Sequence, residues 1–449
     1  MNYNYNIPSN ERGVKPDDGV CAGNPFVPAS GSDQFRIPAL VTMNDGTVVA
    51  AADARWNTHA DGCGLDTIVS FSEDNGKTWR YTFANYLGDN GNRMNRLSTT
   101  FIDPLLTVHG DTIYLLVDLF PGGVALNSTK YRPEPSTGYN EDGKLLLRYY
   151  DSPAYDYYLG DFDESGTANL FRRDGTVIEG YTADRWFNLY WNGREISNLF
   201  CYTSPYRVVS TSFLYLTTSR DKGRTWSAPQ ILNPQVKRAD EPFYGTAPGR
   251  GTVTKSGRIL FPCYYYIYGA QGASFIFSDD GVNWKRTSTI SNTSSEHQLT
   301  ELSDGTIRSI FRNPLGRICY ADARPDGDNY VWGDVVETDI LLNGRSSNCM
   351  ISSLLYSKKV DGCDVILVAC PANGGNRTDL GGRYNGVLRA ALYDPQTGET
   401  TWKTLCEING NDDFYGYSCL TALSDGTAAL LYENPCDINF RYQTYRIDL

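Results

Sequence analysis

The chain has 449 residues, a length that fits either several domains or one large β architecture with insertions. Its 41% hydrophobic and 20% charged residues exclude a disordered or collagen-like chain, and the 13% of aromatic residues favours β-strands. The formal net charge of −12 argues against nucleic acid or an anionic membrane as the main partner, so a site for an anion would need a local group of cations.

The first residues carry no recognisable targeting signal. Residues 1–13 lack the basic, apolar and small-residue sections of a signal peptide, and no apolar run approaches the roughly 18 residues that a membrane span needs. We expect no membrane span. The sequence fits equally a bacterial cytoplasmic protein or a shortened form of an exported one.

Cysteine and histidine are poorly placed for a metal site. The 11 cysteines contain no CxxC pair and are odd in number, which predicts mostly buried free thiols. The three histidines, His59, His109 and His297, are few for a catalytic metal or a Ser-His-Asp triad. We predict neither a metal nor another cofactor.

A hairpin closed by a glycine turn recurs along the chain. In each copy, alternating apolar residues flank a short turn that ends in glycine, as two paired strands require. The copies lie at residues 41–53, 253–265, 300–312 and 421–433.

A second recurring element is the eight-residue box Ser-x-Asp-x-Gly-x-Thr-Trp. It occurs without error at residues 72–79 and 219–226, and in degenerate form at 278–284 and 394–402. Asp and Gly form the turn, Ser and Asp can bond its backbone, and Trp packs under the next strand. The two elements alternate along the chain, which predicts four-stranded blades of an all-β propeller.

The repetition breaks between about Gly122 and Ser210, where the sequence is rich in tyrosine and irregular. We therefore predict an inserted β-rich subdomain at residues 122–210, with the propeller at residues 1–121 and 211–449. No helix longer than two turns is expected.

Phe35-Arg36-Ile37-Pro38 together with the boxes resembles the sialidase (neuraminidase) superfamily of glycoside hydrolases, with its FRIP motif and Asp boxes. The matching segments run in family order from residue 35 to residue 433, and the insertion is similar to that of the larger secreted bacterial sialidases. The resemblance implies a six-bladed β-propeller. It also implies a retaining exo-α-sialidase that acts on sialylated oligosaccharides, glycoproteins or glycolipids.

The chemistry of the substrate sets independent requirements. Sialic acid carries a carboxylate on its anomeric carbon, so its site needs guanidinium groups, whose planar forks suit a carboxylate. The nucleophile should not be a full anion, because the substrate carboxylate would repel it. Sialidases use a tyrosine nucleophile, an exception to the two-carboxylate rule for glycosidases.

The family has a triad of arginines. The resemblance implies that these are Arg36 in FRIP, Arg312 in SIFRN and Arg383 in GGRYNGVL. Arg377 is a rival to Arg383 because it lies in the same loop. Arg312 follows Glu296 by sixteen residues across a glycine turn, as the pairing of two adjacent strands would require.

Tyr417 in GYSCL matches the nucleophile of the family, sixteen residues before Glu433. A phenol with a pKa near 10 needs a base to take its proton. Glu296 matches that partner, and Glu301 is the alternative. We prefer Glu296 because Glu301 directly precedes the glycine turn of its hairpin.

Asp61 in WNTHADGCGLD matches the general acid and base of the family, with Asp66 as the alternative. The resemblance further implies that Arg55 and Asp103 lie near the 4-hydroxyl of the sugar. It gives Glu433 the role of orienting Arg36, without contact to the substrate.

Rival functions remain open at this point. Transfer to another sugar, or internal closure to an anhydro sugar, would use the same residues, and we predict hydrolysis instead. A propeller that binds sialic acid without turnover would be expected to lack the nucleophile or the acid. A propeller unrelated to sialidases would not need three arginines and a Tyr-Glu pair.

Overall fold

The computed structural model describes residues 19–27, 30, 32, 34–56, 60–62, 64–87, 97–126, 132–267, 269–312, 316–342, 349–372, 382–410, 413–434 and 440–449. Over these residues the regular secondary structure is almost entirely β-strand, and the one α-helix is a single turn. None of the described segments is a helix long and apolar enough to cross a bilayer.

Short strands follow one another through the described chain. The first are β1 (Gly19–Ala22), β2 (Gln34–Thr42), β3 (Val48–Arg55), β4 (Leu65–Ser72), β5 (Thr78–Asn85), β6 (Thr100–His109) and β7 (Thr112–Phe120). The next are β8 (Leu146–Tyr149), β9 (Tyr157–Leu159), β10 (Thr167–Arg172), β11 (Val177–Asp184), β12 (Asn188–Trp191), β13 (Arg194–Asn198) and β14 (Tyr206–Val208).

The middle of the chain contains the helix. The elements there are β15 (Phe213–Ser219), β16 (Gln230–Ile231), α1 (Asn233–Val236), β17 (Phe243–Thr246), β18 (Gly249–Arg250), β19 (Thr252–Val253), β20 (Ile259–Ile267), β21 (Ala270–Ser278) and β22 (Lys285–Arg286).

Twelve further strands follow. They are β23 (His297–Glu301), β24 (Ile307–Phe311), β25 (Arg317–Asp326), β26 (Asn329–Trp332), β27 (Val336–Leu341), β28 (Ser352–Leu355), β29 (Asp364–Pro371), β30 (Gly386–Tyr393), β31 (Thr400–Glu407), β32 (Ser418–Ala422), β33 (Ala428–Glu433) and β34 (Phe440–Tyr445).

Strands β8 to β14 form a separate seven-stranded sheet in the order β13-β12-β11-β10-β9-β8-β14. This sheet lies within the stretch where the sequence repetition breaks. The limits of the insertion at 122 and 210 remain a prediction.

The other strands form small antiparallel sheets in a propeller-like arrangement. Four of these sheets are built from β17 and β19 to β22, from β23 to β27, from β28 to β31 and from β32 to β34. A larger ten-stranded sheet joins β1–β5 to β6, β7, β15 and β16, with β18 beside β6. Its two halves meet at one parallel pair, Leu65 opposite Thr100. The all-β propeller-like fold is confirmed, whereas hydrogen bonding alone does not divide the sheets into six blades.

The hydrophobic core lies between the faces of successive sheets. Leu260 and Leu299 share one buried cluster between the first and second of the four small sheets, and Leu388 and Leu430 share another between the last two. The ring closes because Leu40 of β2 packs in a cluster with Leu431 of β33. Strand β2 therefore contacts both β6 and β32, and the innermost strands surround a common centre.

The four predicted glycine hairpins have one geometry. Thr42 pairs with Val48, and Glu301 with Ile307, so that five residues form each connection. In all four hairpins the first of the five residues donates its amide to the carbonyl of the fifth at 2.8–2.9 Å. The glycine has a positive φ of 82–91°, which residues with a side chain rarely adopt.

Candidate active site

A cavity of about 430 Å³ opens where the innermost strands surround the centre of the ring. Seven of the nine predicted site residues line it, and the other two, Arg55 and Glu433, lie directly behind its wall. The seven are Arg36, Asp61, Asp103, Glu296, Arg312, Arg383 and Tyr417.

Two glycine hairpins place four of these side chains. His297 pairs with Phe311, so Glu296 and Arg312 continue the two strands side by side. In the last sheet, the amide of Glu433 donates to the carbonyl of Tyr417 at 3.0 Å. The sixteen-residue spacing seen twice in the sequence is thus the span of a hairpin whose ends reach the cavity.

The Tyr417 hydroxyl donates to Glu296 Oε2 at 2.6 Å. Arg312 contacts both groups, with Nη1 3.0 Å from the hydroxyl oxygen and Nη2 2.8 Å from the same carboxylate oxygen. Burial raises the pKa of Tyr417 well above its usual value, Arg312 opposes this, and Glu296 adds to it. The phenol is therefore protonated, with a carboxylate placed to accept its proton.

The alternative base, Glu301, lies elsewhere. Its carboxylate accepts the backbone amide of Lys255 at 2.7 Å, at the turn between β19 and β20. The structure thus brings Glu296, and not Glu301, to the tyrosine.

Three guanidinium groups surround the Tyr417 ring. Their central carbons lie 5.6 Å (Arg36), 5.8 Å (Arg312) and 4.9 Å (Arg383) from the ring centroid. This is the local group of cations that an anionic ligand requires in a chain of net charge −12. The rival residue Arg377 lies outside the described residues.

Glu433 is a buried clamp behind the cavity. Its carboxylate accepts Arg36 Nε at 3.1 Å, the amide of Ile37 at 2.9 Å and the amide of Tyr417 at 3.1 Å. Burial alone would raise the pKa of Glu433, but Arg36, Arg383 and the two amides hold it below its ordinary value. The same carboxylate explains Gly416, where a Cβ would overlap it.

Asp61 lies on the loop after β3, and 43% of its side chain is exposed. Its carboxylate accepts Arg55 Nη1 at 2.9 Å and lies 3.6 Å from Arg36 Nη1. Burial acts to raise the pKa of Asp61, but the two arginines hold it below the ordinary value. Asp61 is thus an ionised carboxylate on a loop at the cavity.

The alternative acid, Asp66, is a structural residue. It accepts the indole Nε1–H of Trp56 at 2.8 Å and the amide of Leu87 at 3.2 Å, and only 2% of it is exposed. Burial raises its pKa to about 7.

Sequence reasoning missed Asp53. This residue of β3 is 1% exposed, and its Oδ2 accepts Arg55 Nη2 at 2.7 Å while its Oδ1 accepts the amide of Asp103 at 3.1 Å. Residues two apart on a strand share a face, so the ADAR segment already places Asp53 beside Arg55. The bond to Asp103, fifty residues away, has no signal in the sequence.

One wall of the cavity is apolar. Tyr264 and Tyr266 of β20 line it. The remaining apolar members were not predicted, since they are ordinary core residues in sequence. They are Ile102, Phe120, Leu126 and Phe243, which pack in one cluster with Tyr264 and Tyr266.

Metal ligands do not cluster in the described part of the chain, where no group of three or more His, Cys, Asp and Glu could hold an ion. The groups present at the site, Asp61, Glu296 and Tyr417, are suited to acid–base and nucleophilic chemistry beside a cationic anion site.

Known proteins resemble this chain over most of its length. The family profile described as BNR repeat-like domain matches residues 189–430. An anhydrosialidase of Macrobdella decora is 29% identical over 90% of this chain and 58% of its own length, and sialidase B of Streptococcus pneumoniae is 27% identical over 90% and 62%. The chain thus spans about three fifths of the length of these curated relatives.

A solved structure, the intramolecular trans-sialidase from Ruminococcus gnavus in complex with oseltamivir carboxylate, superposes with a TM-score of 0.80 at 27% identity. It covers 95% of this chain, which in turn covers 97% of it. The leech intramolecular trans-sialidase complexed with 2,7-anhydro-Neu5Ac gives a TM-score of 0.79 at 25% identity, over 95% and 70% of the two chains. On the profile match, the fold and these relatives together, the chain belongs to the BNR repeat-like domain family and to the sialidase superfamily.

Proposed function

We propose that this chain is a retaining exo-α-sialidase, which removes terminal α-linked sialic acid from oligosaccharides, glycoproteins or glycolipids. The observation that carries the proposal is the Tyr417 hydroxyl, which donates to Glu296 at 2.6 Å beneath three guanidinium groups. A sugar with a carboxylate on its anomeric carbon needs both a neutral nucleophile and a cationic cradle.

In the first step, Asp61 protonates the oxygen of the leaving group as its bond to the anomeric carbon breaks. The Tyr417 oxygen attacks that carbon and its proton passes to Glu296, so a glycosyl-tyrosine intermediate forms. Arg36, Arg312 and Arg383 hold the substrate carboxylate. In the second step the roles reverse: Asp61 takes the proton of the acceptor, and Glu296 returns a proton to the phenol.

Asp61 must be protonated when the substrate reacts, although Arg55 and Arg36 lower its pKa in the free protein. A bound substrate carboxylate engages Arg36 and brings a negative charge close to Asp61. Both changes favour the protonated carboxyl. Substrate binding would thereby prepare the acid.

The remaining residues have supporting roles in this proposal. Arg55 and Asp103 would bind the polar edge of the sugar near its 4-hydroxyl, and Glu433 would hold Arg36 in its forked orientation. The partners are sialylated sugars.

We further propose that the scaffold is a six-bladed propeller at residues 1–121 and 211–449, with the subdomain at 122–210 inserted. The support is the packing: six buried clusters each lie between two successive groups of strands. The groups are β1–β5; β6, β7, β15 and β16; β17 and β19–β22; β23–β27; β28–β31; and β32–β34.

The sugar on Tyr417 has two possible acceptors. Attack by water, the hydrolysis expected from the sequence, releases free sialic acid. The second candidate is closure by the glycerol hydroxyl of the sugar itself, which requires that water be kept away. The similarity to an anhydrosialidase and to intramolecular trans-sialidases favours this candidate, as does the apolar wall with Phe120, Leu126 and Phe243.

Proton NMR of the reaction with 3′-sialyllactose tests the proposal. Hydrolysis with retention gives α-sialic acid first, which then mutarotates, whereas closure gives an anhydro sugar and lactose from the start. Either result supports a sialidase that works through Tyr417. Unchanged 3′- and 6′-sialyllactose in the presence of folded protein would contradict the proposal, and the same incubation with Tyr417→Phe is the control for contaminating activity.

A further inference from the structure

Two segments of this chain repeat one backbone feature that their sequences share only in part. Phe35-Arg36-Ile37-Pro38 in β2 and Phe101-Ile102-Asp103-Pro104 in β6 each place a positive-φ residue directly before proline. Ile37 and Asp103 both have a φ of 61°, and the strand register shifts at both places. Such a conformation is strained for a residue with a side chain, so the surroundings must hold it.

A buried carboxylate holds each of these amides. Ile37 donates to Glu433 Oε1 at 2.9 Å, and Asp103 donates to Asp53 Oδ1 at 3.1 Å. Each carboxylate also accepts a hydrogen bond from a guanidinium group. Glu433 accepts from Arg36, and Asp53 accepts from Arg55 at 2.7 Å.

We propose that Asp53 is a positioning residue that acts on one side of the cavity as Glu433 acts on the other. It fixes Asp103 at the cavity wall through the backbone, and it aims Arg55 at Asp61 through the guanidinium. This inference rests on the proposed sialidase function, because it assigns Asp53 a part in placing the acid Asp61.

Both oxygens of Asp53 are needed for this role. An asparagine offers one carbonyl oxygen, and its amide group would meet either the amide of Asp103 or Nη2 of Arg55, a donor facing a donor. One of the two bonds is lost, and Arg55 or Asp103 moves from its place.

A third carboxylate marks the contrast. Asp118 of β7 accepts the amide of Thr246 at 3.0 Å, but within the described residues its second oxygen is buried without a hydrogen-bond partner. It therefore holds backbone only. The bond to a guanidinium distinguishes Asp53 from a purely structural carboxylate.

The test compares two substrates with different leaving groups, 3′-sialyllactose and an aryl sialoside. Asp53→Asn is expected to lower kcat/KM for sialyllactose by about a hundredfold, because its poor leaving group needs a well-placed acid. The loss on the aryl sialoside, whose phenol leaves with little help, is expected to be about tenfold or less. The ratio of the two constants is the readout that a general loss of stability would not move.

Asp66→Asn is the matched control. Asp66 is also a buried carboxylate that accepts two N–H groups, but its partners are Trp56 and Leu87 and it does not line the cavity. This variant is expected to keep the ratio within about twofold of the wild type.

The double variant Asp53→Asn/Arg55→Met covers the case in which Asp53→Asn does not fold. Removing both members of a buried pair leaves no uncompensated charge and is better tolerated than removing one. If Asp53 acts through Arg55, the double variant and Arg55→Met alone will have the same substrate ratio within about twofold.

The outcomes separate this inference from the proposed function. A folded wild type that cleaves neither substrate overturns the sialidase proposal itself. An active wild type with Asp53→Asn within about threefold on both substrates, or with equal losses on both, overturns the role of Asp53. The role is also overturned if Asp66→Asn lowers the ratio of the two kcat/KM values as far as Asp53→Asn does. It is overturned as well if the double variant has a lower ratio than Arg55→Met alone.

Discussion

The hydroxyl of Tyr417 lies between groups of opposite charge, since it donates to Glu296 and accepts from Arg312. Burial keeps the proton on the phenol, and the carboxylate waits 2.6 Å away to remove it. In the proposed mechanism, the nucleophile is therefore generated only when the proton transfer is coupled to attack.

Replacing Tyr417 by phenylalanine removes the hydroxyl that we propose as the attacking group, and little else. We expect turnover to fall by about a thousandfold or more, whereas binding of the unsaturated sialic acid analogue stays close to that of the wild type. Steady-state kinetics and titration calorimetry measure the two effects.

The neighbouring Tyr415→Phe is the control, because this buried hydroxyl donates to Ser418 at 2.8 Å instead of facing the cavity. Turnover of Tyr417→Phe within about threefold of wild type would remove the nucleophile assignment.

The contribution of Asp61 to the cleavage rate is predicted to depend on the leaving group. Asp61→Ala should lower cleavage of natural sialosides much more than cleavage of an aryl sialoside, because a phenol departs with little protonation. The kcat/KM values for the two substrates measure the difference. Equal losses would show that Asp61 does not protonate the leaving oxygen.

Much of the site can be predicted from the sequence because hairpins place its side chains. The pairs Glu296/Arg312 and Tyr417/Glu433 follow from strand register, which local sequence determines. The resemblance favours Asp61 over Asp66 in the sequence, but the physical reason cannot be seen there, because it depends on the buried contacts of Asp66 with Trp56 and Leu87. Contacts between separate strand pairs need the assembled fold.

At the scale of the element, the boxes are self-contained turns. In the first, Ser72 accepts the amide of Gly76 at 2.8 Å, and Asp74 accepts both the amide and the hydroxyl of Thr78 at 2.9 and 2.7 Å. The second box repeats these bonds within 0.1 Å.

The third box shows how a shortened copy keeps its shape. It lacks the threonine before Trp284, but the Asn283 side chain donates to Asp280 Oδ2 at 2.7 Å in its place. The sequence shows only the missing threonine, since the substitute bond depends on a turn that is one residue shorter.

Asp74→Ala is expected to lower the free energy of unfolding by about 1–2 kcal/mol, since the turn loses its side-chain acceptor near solvent. The kcat and KM of the folded protein should stay within about twofold of wild type because no residue of the box lines the cavity. Urea unfolding measures the first effect.

Asp111→Ala, an exposed aspartate between β6 and β7, is the control for loss of one surface charge. Equal destabilisation in the two variants would contradict a structural role of the box.

At the scale of the whole molecule, buried carboxylates make stability depend on pH. Burial raises the pKa of Asp66 from 3.8 to about 7. Between these values the folded chain keeps a proton that the unfolded chain has released, so this group's contribution to stability is lost as pH rises towards 7.

Asp66→Asn removes that titration. The wild type is expected to lose about 2–3 kcal/mol more stability between pH 5 and pH 8 than the variant does. Urea unfolding of both proteins at the two pH values gives the difference directly. The same pH dependence in both proteins would mean that Asp66 is ionised throughout.

The alternation of hairpins and boxes predicts the ring, but not how its first units join. Leu65 and Thr100 form a parallel pair that merges two groups of strands into one sheet, and β18 adds to the edge of β6. These contacts depend on how neighbouring units meet, and neither residue carries a local signal for it.

The closure of the ring has a consequence for the order of synthesis. Arg36 and Glu433, which holds its guanidinium, are 397 residues apart, and Tyr417 directly precedes β32 in the same final sheet as Glu433. A ribosome makes Arg36 early, whereas the proposed nucleophile Tyr417 and its neighbour Glu433 emerge last. Contacts between residues so far apart in sequence slow folding. The strands that are made first keep an unpaired sheet edge until the last strands are made. Nascent chains shorter than the final sheet would therefore hold no working site, so glycosidase activity would report that the last strands had docked.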